Sequence, residues 1–531
     1  MIDIKNFSIL KKRIKDKVIE ILYNNGVDNW IIKEFNKLID DAKTSETEII
    51  NAVNWADENN NIADMPIIDY RFIRDELVKE GIDIHEWKAE RYYKNVNNRN
   101  VFMPKLFADD LVKEFSFITT NEKIPELYLY DYEDGIYKND GINFIDRFTS
   151  EFLGTEKDKH RLVEIIMHVK GMTFKDRDIF EKTDKSLICL NNGVYDISKD
   201  KLLMHSSDLI FLNKIPINYN PKADCPKIKE FLKEVLMEED LSLANELMGY
   251  CLYRSNLFKK AFILLGDRDA GKSTFLNVLI NLIGVKNKSG VALQKLGDRF
   301  SSYYLYNKYL NVVDDLEFKD VSNTGMFKMA IGESYINCEM KHGSQFQFIN
   351  FSKLVFATNK IALPKDVDDD AYYSRWYVLR FNNEFTDENK KIKRDLTREL
   401  TTQEELEGLL IYALNGLKRL LDNKKFSRLQ TIEEVKLIMH KSGSSIASFV
   451  HDRLEENINN WISKEEMFLE YSKYCNEFNL ANKGINKLGR DLIMFAPYMI
   501  DSREGTAKKG WRNVKVKNSE KVEKERFLEF Q

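Results

Sequence analysis

The chain has 531 residues, 43% hydrophobic and 31% charged, with a formal net charge of −4 at neutral pH. That composition fits two to four folded domains and excludes wholesale disorder and a basic field over the whole molecule. No uninterrupted apolar run is long enough to span a bilayer, so no membrane partner is expected.

The chain opens on "MIDIKNFSILKKRIKDK", which lacks the apolar core and cleavage site of a secretory signal. Residues 1–100 read as a helical N-terminal region: Ile14, Val18, Ile21 and Leu22 recur at helical spacing, Gly26 follows as a stop, and Ser45 with Glu48 suits a capping box. From Val101 the texture changes. "LYLYDYEDGIYKND" and "SLICLNNGVYDISKDKLLMHS" alternate around Gly, Asn and Asp, predicting hairpins, with "DKHRLVEIIMHVKGM" as a helix between them. His160, His168 and His205 have no ligand partners at suitable spacing and read as surface or core residues. Cys189, Cys225, Cys251, Cys338 and Cys475 are scattered with no CxxC, which predicts reduced thiols and a cytoplasmic location.

Residues 227–258 read as helical, and "KKAFILLG" then gives a short, nearly continuous apolar run, the pattern of a strand buried on both faces of a parallel sheet. It leads into "GDRDAGKST", residues 266–274, which is Gly266-x-x-x-x-Gly271-Lys272-Ser273 followed by Thr274. Glycines let backbone N–H groups approach phosphate oxygens, Lys272 can reach the β and γ phosphates, and the Ser273 hydroxyl can ligate Mg²⁺. The following "STFLNVLINLIG" has helical apolar spacing, so strand, loop and helix stand in the order a phosphate cradle needs. The cradle would run through Gly266, Asp267, Arg268, Asp269, Ala270, Gly271, Lys272, Ser273 and Thr274, with ATP and Mg²⁺ as the expected cofactors.

Three further strands follow. "KYLNVVDDLE" ends in Asp314 and Asp315, which can hold Mg²⁺ and polarise an attacking water, or merely end a strand. "KLVFAT" ends in Asn359, either a γ-phosphate contact or a turn asparagine. "WYVLRF" begins after Arg375, which could project across a subunit boundary or pair with Asp368, Asp369 or Asp370. Between Asp315 and Asn359, Ile336, Cys338 and Met340 alternate with Asn337 and Glu339, and Phe346 and Phe348 with Gln345 and Gln347. This predicts a β-hairpin with Lys341 and His342 at its tip, groups that can hold or stack on one nucleic-acid strand.

After residue 385 the pattern is helical again through "EELEGLLIYALNGLKRLLDN". Residues 445–531 form a smaller unit: a helix with Met467, Tyr471, Tyr474 and Phe478 on one side, a second helix at "NKLGRDLIMF", and a strand at "GWRNVKVK". Helix, helix and hairpin are consistent with a winged helix. Lys483, Lys487 and Arg490 on its second helix, and Lys508, Lys509 and Arg512 on its wing, are the candidate DNA contacts, or else a solvated basic face. The last stretch, "SEKVEKERFLEFQ", reads as a frayed helix.

The order of phosphate loop, "VVDD", hairpin, "FATN" and "SRW" resembles the superfamily 3 helicases of phages, viruses and plasmids, a branch of the AAA+ ATPases. It is most similar to the primase–helicase family that includes the poxvirus replicative enzyme. "FMPKLFADDLV", "NNGVYDI", "KIPINYNPKADCPKIKEFLKEVL" and "ELMGYCLYR" resemble that family's accessory region, so the likeness covers about residues 101–440. The resemblance implies an α/β fold: an accessory domain at 101–235, an AAA+-like P-loop ATPase at 236–435 and a winged helix at 445–531. It makes Lys272 and Ser273 Walker A, Asp314 and Asp315 Walker B, Asn359 the sensor and Arg375 the trans-acting finger, with Arg380 a nearby competitor for that role. Asp269 departs from the family's loop, and its carboxylate is expected to point outward. The implied function is a ring-forming, ATP-dependent replicative DNA helicase, hexameric by expectation. It would act on single-stranded and duplex DNA, beside a separate primase. The alternatives are a bifunctional primase–helicase, for which residues 1–100 offer no Asp-x-Asp on a strand, and an ATP-assembled origin-binding initiator that does not unwind.

Overall fold

The computed structural model describes residues 15, 18, 19, 29–41, 89–316, 321, 324–339, 341, 345–361, 363, 364, 366, 369–381, 396–504 and 508–517. Helix α1 (Asn29–Asp41) buries Phe35 and Ile39. Of the four apolar positions expected on the N-terminal helix only Val18 is described, and it is buried; Ile14, Ile21, Leu22, Gly26 and the Ser45/Glu48 box lie outside the described residues, as does the stretch after residue 517.

Strands begin earlier than the sequence texture suggests. β1 (Tyr93–Val96) and β2 (Arg99–Phe102) already form a hairpin. Asn97 and Asn98 turn it with φ of 50° and 58°, the left-handed pair a two-residue turn requires and asparagine tolerates.

The next unit is α2 (Pro104–Glu114), β3 (Phe117–Thr120), β4 (Leu127–Asp131), β5 (Ile136–Lys138), α3 (Gly141–Leu153), α4 (Lys159–Thr173) and β6 (Phe174–Lys175). Its sheet runs β5-β4-β3-β6, with β4–β5 the hairpin expected at "LYLYDYEDGIYKND". Phe107, Ile145, Leu153, Ile165 and Val169 of the three helices make its core. β7 (Leu187–Leu190), β8 (Gly193–Asp196) and β9 (Lys201–Leu203) form the second expected set of antiparallel strands.

Helices α5 (Pro226–Val235) and α6 (Glu238–Leu252) lead to the central sheet. In chain order it comprises β10 (Ala261–Gly266), α7 (Lys272–Ile283), β11 (Lys288–Ser289), α8 (Ser301–Leu305), β12 (Leu310–Val313), α9 (Thr324–Ala330), the β13 (Tyr335–Glu339) and β14 (Gln345–Ile349) hairpin, β15 (Lys353–Thr358), α10 (Asp370–Tyr373) and β16 (Trp376–Phe381). Its five strands are all parallel, in the order β11-β12-β15-β10-β16. Alternate residues serve opposite faces. Phe262, Leu264, Val355, Ala357, Tyr377 and Leu379 pack into one core, and Ala261, Ile263, Leu354, Phe356, Trp376 and Val378 into the other. Burial of both faces is why these strands read as continuous apolar runs.

The first of those cores is completed by α6 and by α12 (Gln403–Asn423), which follows α11 (Leu396–Leu400). Buried Glu246 of α6 is answered by Arg419 of α12 at 2.8 Å and by the Ser427 backbone N–H. α13 (Ile432–Gly443) closes the second core with Val435 and Met439. The remaining unit has its own core and runs α14 (Ser445–Arg453), β17 (Leu454–Ser463), α15 (Lys464–Glu477), α16 (Ile485–Phe495), β18 (Ile500–Glu504) and β19 (Lys508–Val516). Its sheet is antiparallel in the order β17-β19-β18, so a leading helix and strand precede the two helices and hairpin that the sequence pattern predicts. Met467, Tyr471 and Tyr474 are buried in it together with Trp511. The architecture is mixed α/β, and no described helix is long and apolar enough to cross a membrane.

Candidate functional site

β10 ends at Gly266, where a Cβ would collide with the Phe381 carbonyl on the neighbouring strand. The chain then turns outward through Asp267 and Arg268. Asp269 has a φ of 61° and Gly271 a φ of 91°. Aspartate is among the few non-glycine residues that enter the left-handed region readily, which accounts for its presence here. Its side chain is 65% exposed and lies 3.5 Å from the Arg268 guanidinium. Gly271 is the N-cap of α7, no side chain caps that helix, and a Cβ there would come within 2.7 Å of Val235. The first N–H groups of α7 are therefore left for a ligand or solvent, with the helix dipole favouring an anion.

Lys272 is buried, and its Nζ donates to the carbonyls of Gly266 at 2.8 Å and Asp267 at 2.6 Å. Burial pulls its pKa down, opposed by the carboxylates of Asp267, Asp314, Asp269 and Asp315. All four carboxylates favour the charged form of this lysine. The Ser273 hydroxyl donates to Asp314 Oδ1 at 3.0 Å. Two hard oxygens so placed, one neutral and one anionic, are the donor set that suits Mg²⁺.

Strand order explains why residues 41 positions apart meet. Asp314 and Asp315 follow β12, and the next backbone N–H, of Leu316, is tied to Ala357 of β15 at 2.9 Å. Exposed Asn359 follows β15, which lies between β12 and β10. Lys272, Ser273, Asp314, Asp315, Asn359 and the loop through Thr274 thus stand at the carboxyl edge of three adjacent parallel strands, the usual place for ligands in such sheets.

Arg375 is at the other edge. Its carbonyl accepts from Ala261 at 2.8 Å, and Ala261 pairs with Trp376. The six residues of β16 separate it from its own loop, about 20 Å at strand rise. Its Nη1 donates to the Ala371 carbonyl and its Nε is buried without a partner. The acids considered as its partners are otherwise engaged: Asp369 binds Lys328 and caps α10, and Asp370 binds Lys436 at 2.5 Å; Asp368 lies outside the described residues. Arg380 pairs across from Leu265, near the loop edge.

The β13–β14 hairpin forms its own two-stranded sheet, with Glu339 opposite Gln345. Ile336, Cys338 and Phe348 are buried, Asn337, Gln345 and Gln347 exposed. Lys341 is exposed at the tip; His342 and Met340 lie outside the described residues. The structure adds a clamp on this hairpin that has no local sequence signal. Arg299 holds Glu339 through two hydrogen bonds of 2.7 and 2.6 Å, and the Ser302 hydroxyl donates to the Asn337 carbonyl at 2.9 Å. Arg177, itself paired with Glu122 and Glu126, lies 4.2 Å from the Phe346 ring centre, and Glu181 accepts from the Ile349 N–H. Their partners sit from 35 to 169 positions away along the chain, so only the fold reveals them.

In the C-terminal unit Lys483, Lys487, Arg490, Lys508, Lys509 and Arg512 are all exposed. Lys487 and Arg490 are on α16, each 3.9 Å from Asp491. Lys483 lies in the turn ahead of it, because Gly484 is the N-cap. Lys508 and Lys509 pair with Glu504 and Arg503 across the β18–β19 hairpin. The five cysteines are buried and free, and no cluster of metal-ligating side chains occurs among the described residues. His205 binds the Leu190 carbonyl and His160 faces Glu164.

Two family models match parts of the chain. Residues 140–237 match the family described as D5 N terminal like, and residues 264–375 match a family of unknown function (DUF5906). The first match falls almost wholly within the region read from sequence as the accessory domain, and the second runs from the phosphate loop's strand to Arg375. No curated protein matches. Solved structures similar to the chain include three of the NrS-1 C-terminal region. The apo structure (305–718) is 13% identical over 78% of this chain and 99% of that one, with a TM-score of 0.43. Two A-form apo structures are 13% and 15% identical over 77% and 78% of this chain and 98% and 100% of theirs, each with a TM-score of 0.42.

Proposed function

We propose that the chain is an ATP-dependent replicative DNA helicase of the superfamily 3 kind, acting as a ring of identical subunits. The observation that carries this is the Ser273–Asp314 contact at 3.0 Å, formed beside buried Lys272 and flanked by Asn359 on the intervening strand. In this reading, Gly266 to Thr274 cradle the phosphates of ATP, Lys272 reaches them, and Ser273 and Asp314 hold Mg²⁺. Asp315 orients the attacking water and Asn359 senses the γ-phosphate. When bound, the metal supplies neutralisation of charge on the transferred phosphoryl group. The D5 N terminal-like match at residues 140–237 supports a replication role of the primase–helicase type.

Arg375 supports the ring reading. Lying at the edge opposite its own loop, it can serve as a finger only for a neighbour's nucleotide. Arg380 is the poorer candidate for that role, because it stands beside its own loop. Six subunits would bring six Lys341 tips to one channel, concentrating positive potential in a protein of net charge −4. The C-terminal helix–strand–helix–helix–strand–strand unit is read as a winged helix that meets duplex DNA through α16 and the β18–β19 wing. The expected setting is the cytoplasm, with a separate primase as partner.

The test is strand displacement on forked DNA carrying either tail, with ATP and Mg²⁺. Unwinding with one tail polarity is expected. ATP-dependent assembly on DNA without displacement of either substrate would replace the helicase with an initiator.

A further inference from the structure

A cleft of about 880 Å³ opens between the β4–β5 hairpin and the outer edge of β11. β11 is the edge strand, three places from β10 in the sheet, and the cleft is lined by neither the phosphate loop nor Asp314, Asp315 or Asn359. Its chemistry departs from that of the chain as a whole. The protein carries 85 Asp and Glu against 81 Lys and Arg, yet among the described residues no acid lines this cleft. Lys288, Lys295 and Lys308 do, and none of the three has an ion-pair partner among the described residues. Lys308 Nζ donates to the Lys286 carbonyl at 2.6 Å, and burial lowers its pKa with no carboxylate to offset it. Lys138, also on the wall, is already held by Asp131 and Asp134.

The same wall carries Tyr303 and Tyr304, ring centres 6.2 Å apart, with Tyr304 61% exposed. Unpaired lysines beside open aromatic rings match one ligand class best. Single-stranded nucleic acid offers phosphates to the lysines and unpaired bases to the rings, whereas a duplex keeps its bases stacked inside. We propose that this cleft is a second DNA site, holding a short run of single-stranded DNA apart from the hairpin tip. Tyr306 joins the two: it lines the cleft and packs against Phe346 and Phe348 of β14 at 4.9 and 5.2 Å, so the cleft lies beside the hairpin's second strand. A strand handled by the hairpin is retained there between ATP turnovers.

This inference rests on the DNA-handling reading above, and its test separates the two. The full chain is titrated with fluorescent oligothymidylate at low salt without nucleotide, as wild type, as Lys288→Glu/Lys295→Glu and as Tyr304→Ala. All three side chains are exposed, so folding is not at stake. The charge reversal is expected to weaken binding about tenfold or more, and Tyr304→Ala severalfold, with basal ATP hydrolysis and duplex binding unchanged. Ultraviolet crosslinking of the wild type to the same oligonucleotide should mark the peptide containing Tyr303 and Tyr304. Unchanged affinity in both variants, in a protein that still binds and unwinds DNA, would overturn the cleft alone. A wild type that binds no single-stranded DNA would overturn both readings.

Discussion

Asp269 occupies a left-handed position in the loop between β10 and α7. Asparagine there should be close to neutral, while Asp269→Val should lower stability by about 1–2 kcal/mol, measured by chemical denaturation. Equal stability of the two variants would mean that the loop relaxes to another conformation. A second residue of interest begins β15, the strand that Asn359 follows. Lys353, first in β15, is fully buried, its Nζ donating to the carbonyls of Tyr253 and Phe351 at 2.6 Å each and lying 4.4 Å from the Tyr250 ring centre. Burial pulls its pKa from the ordinary 10.5 to about 7. Below pH 7 both folded and unfolded chains hold the proton, and the burial penalty is complete. Between about 7 and 10.5 the unfolded chain binds more proton, so stability should rise with pH. Lys353→Met should flatten that rise in denaturation curves taken from pH 7 to 10; a wild-type slope retained in the variant would assign it to other groups.

At the scale of elements, the hairpin is the part whose role is least local. Its tip lysine is exposed, but its strands are gripped by Arg299, Ser302, Arg177 and Glu181. A tip that touches DNA needs such a base, because force applied at Lys341 is otherwise lost in bending an isolated two-stranded ribbon. Lys341→Ala should therefore leave basal ATP hydrolysis within about twofold and abolish unwinding, a loss of at least about tenfold. Full unwinding by the variant would remove the hairpin from the mechanism. The period-two pattern of Ile336, Cys338, Phe346 and Phe348 makes the hairpin legible in the sequence. Its clamp is not, since Arg177 and Arg299 look like any surface arginine until the accessory unit and the β11 side of the sheet are folded against it.

For the whole molecule, the sheet places the Gly266–Thr274 loop at one edge and Arg375 at the other. Lys272→Ala and Arg375→Ala should each be inactive in ATP hydrolysis, yet mixing them should restore part of the activity, because some subunit boundaries then combine an intact loop with an intact arginine. No recovery on mixing pre-dissociated variants would argue for a site complete within one subunit. The C-terminal unit has a core of its own, built on Phe449, Tyr471, Leu492 and Trp511, and α13 ends before it with Met439 anchored in the central core. Removing residues 445–531 should thus leave ATP hydrolysis intact and weaken duplex binding severalfold; unchanged duplex affinity would overturn the proposed DNA contact of α16 and the β18–β19 hairpin.

Local pattern alone determined most elements around the site, though not the β1–β2 hairpin or the helix and strand that lead the C-terminal unit: the glycine-flanked loop before a helix, the apolar strands, the alternating hairpin and the polar residues ending each strand. Those signals are carried by neighbours in the chain, where backbone geometry and burial impose periods of two and 3.6. It also left Arg380 in competition with Arg375, placed no residue on the hairpin's clamp and gave the lysines of the β11 cleft no distinction. Tertiary structure decided these. Strand order β11-β12-β15-β10-β16 sets which tips converge, which arginine is remote and which lysines and tyrosines share a wall. Sheet order and domain packing are products of burying both faces at once, a constraint that acts on the whole chain and leaves no mark on any short stretch of it.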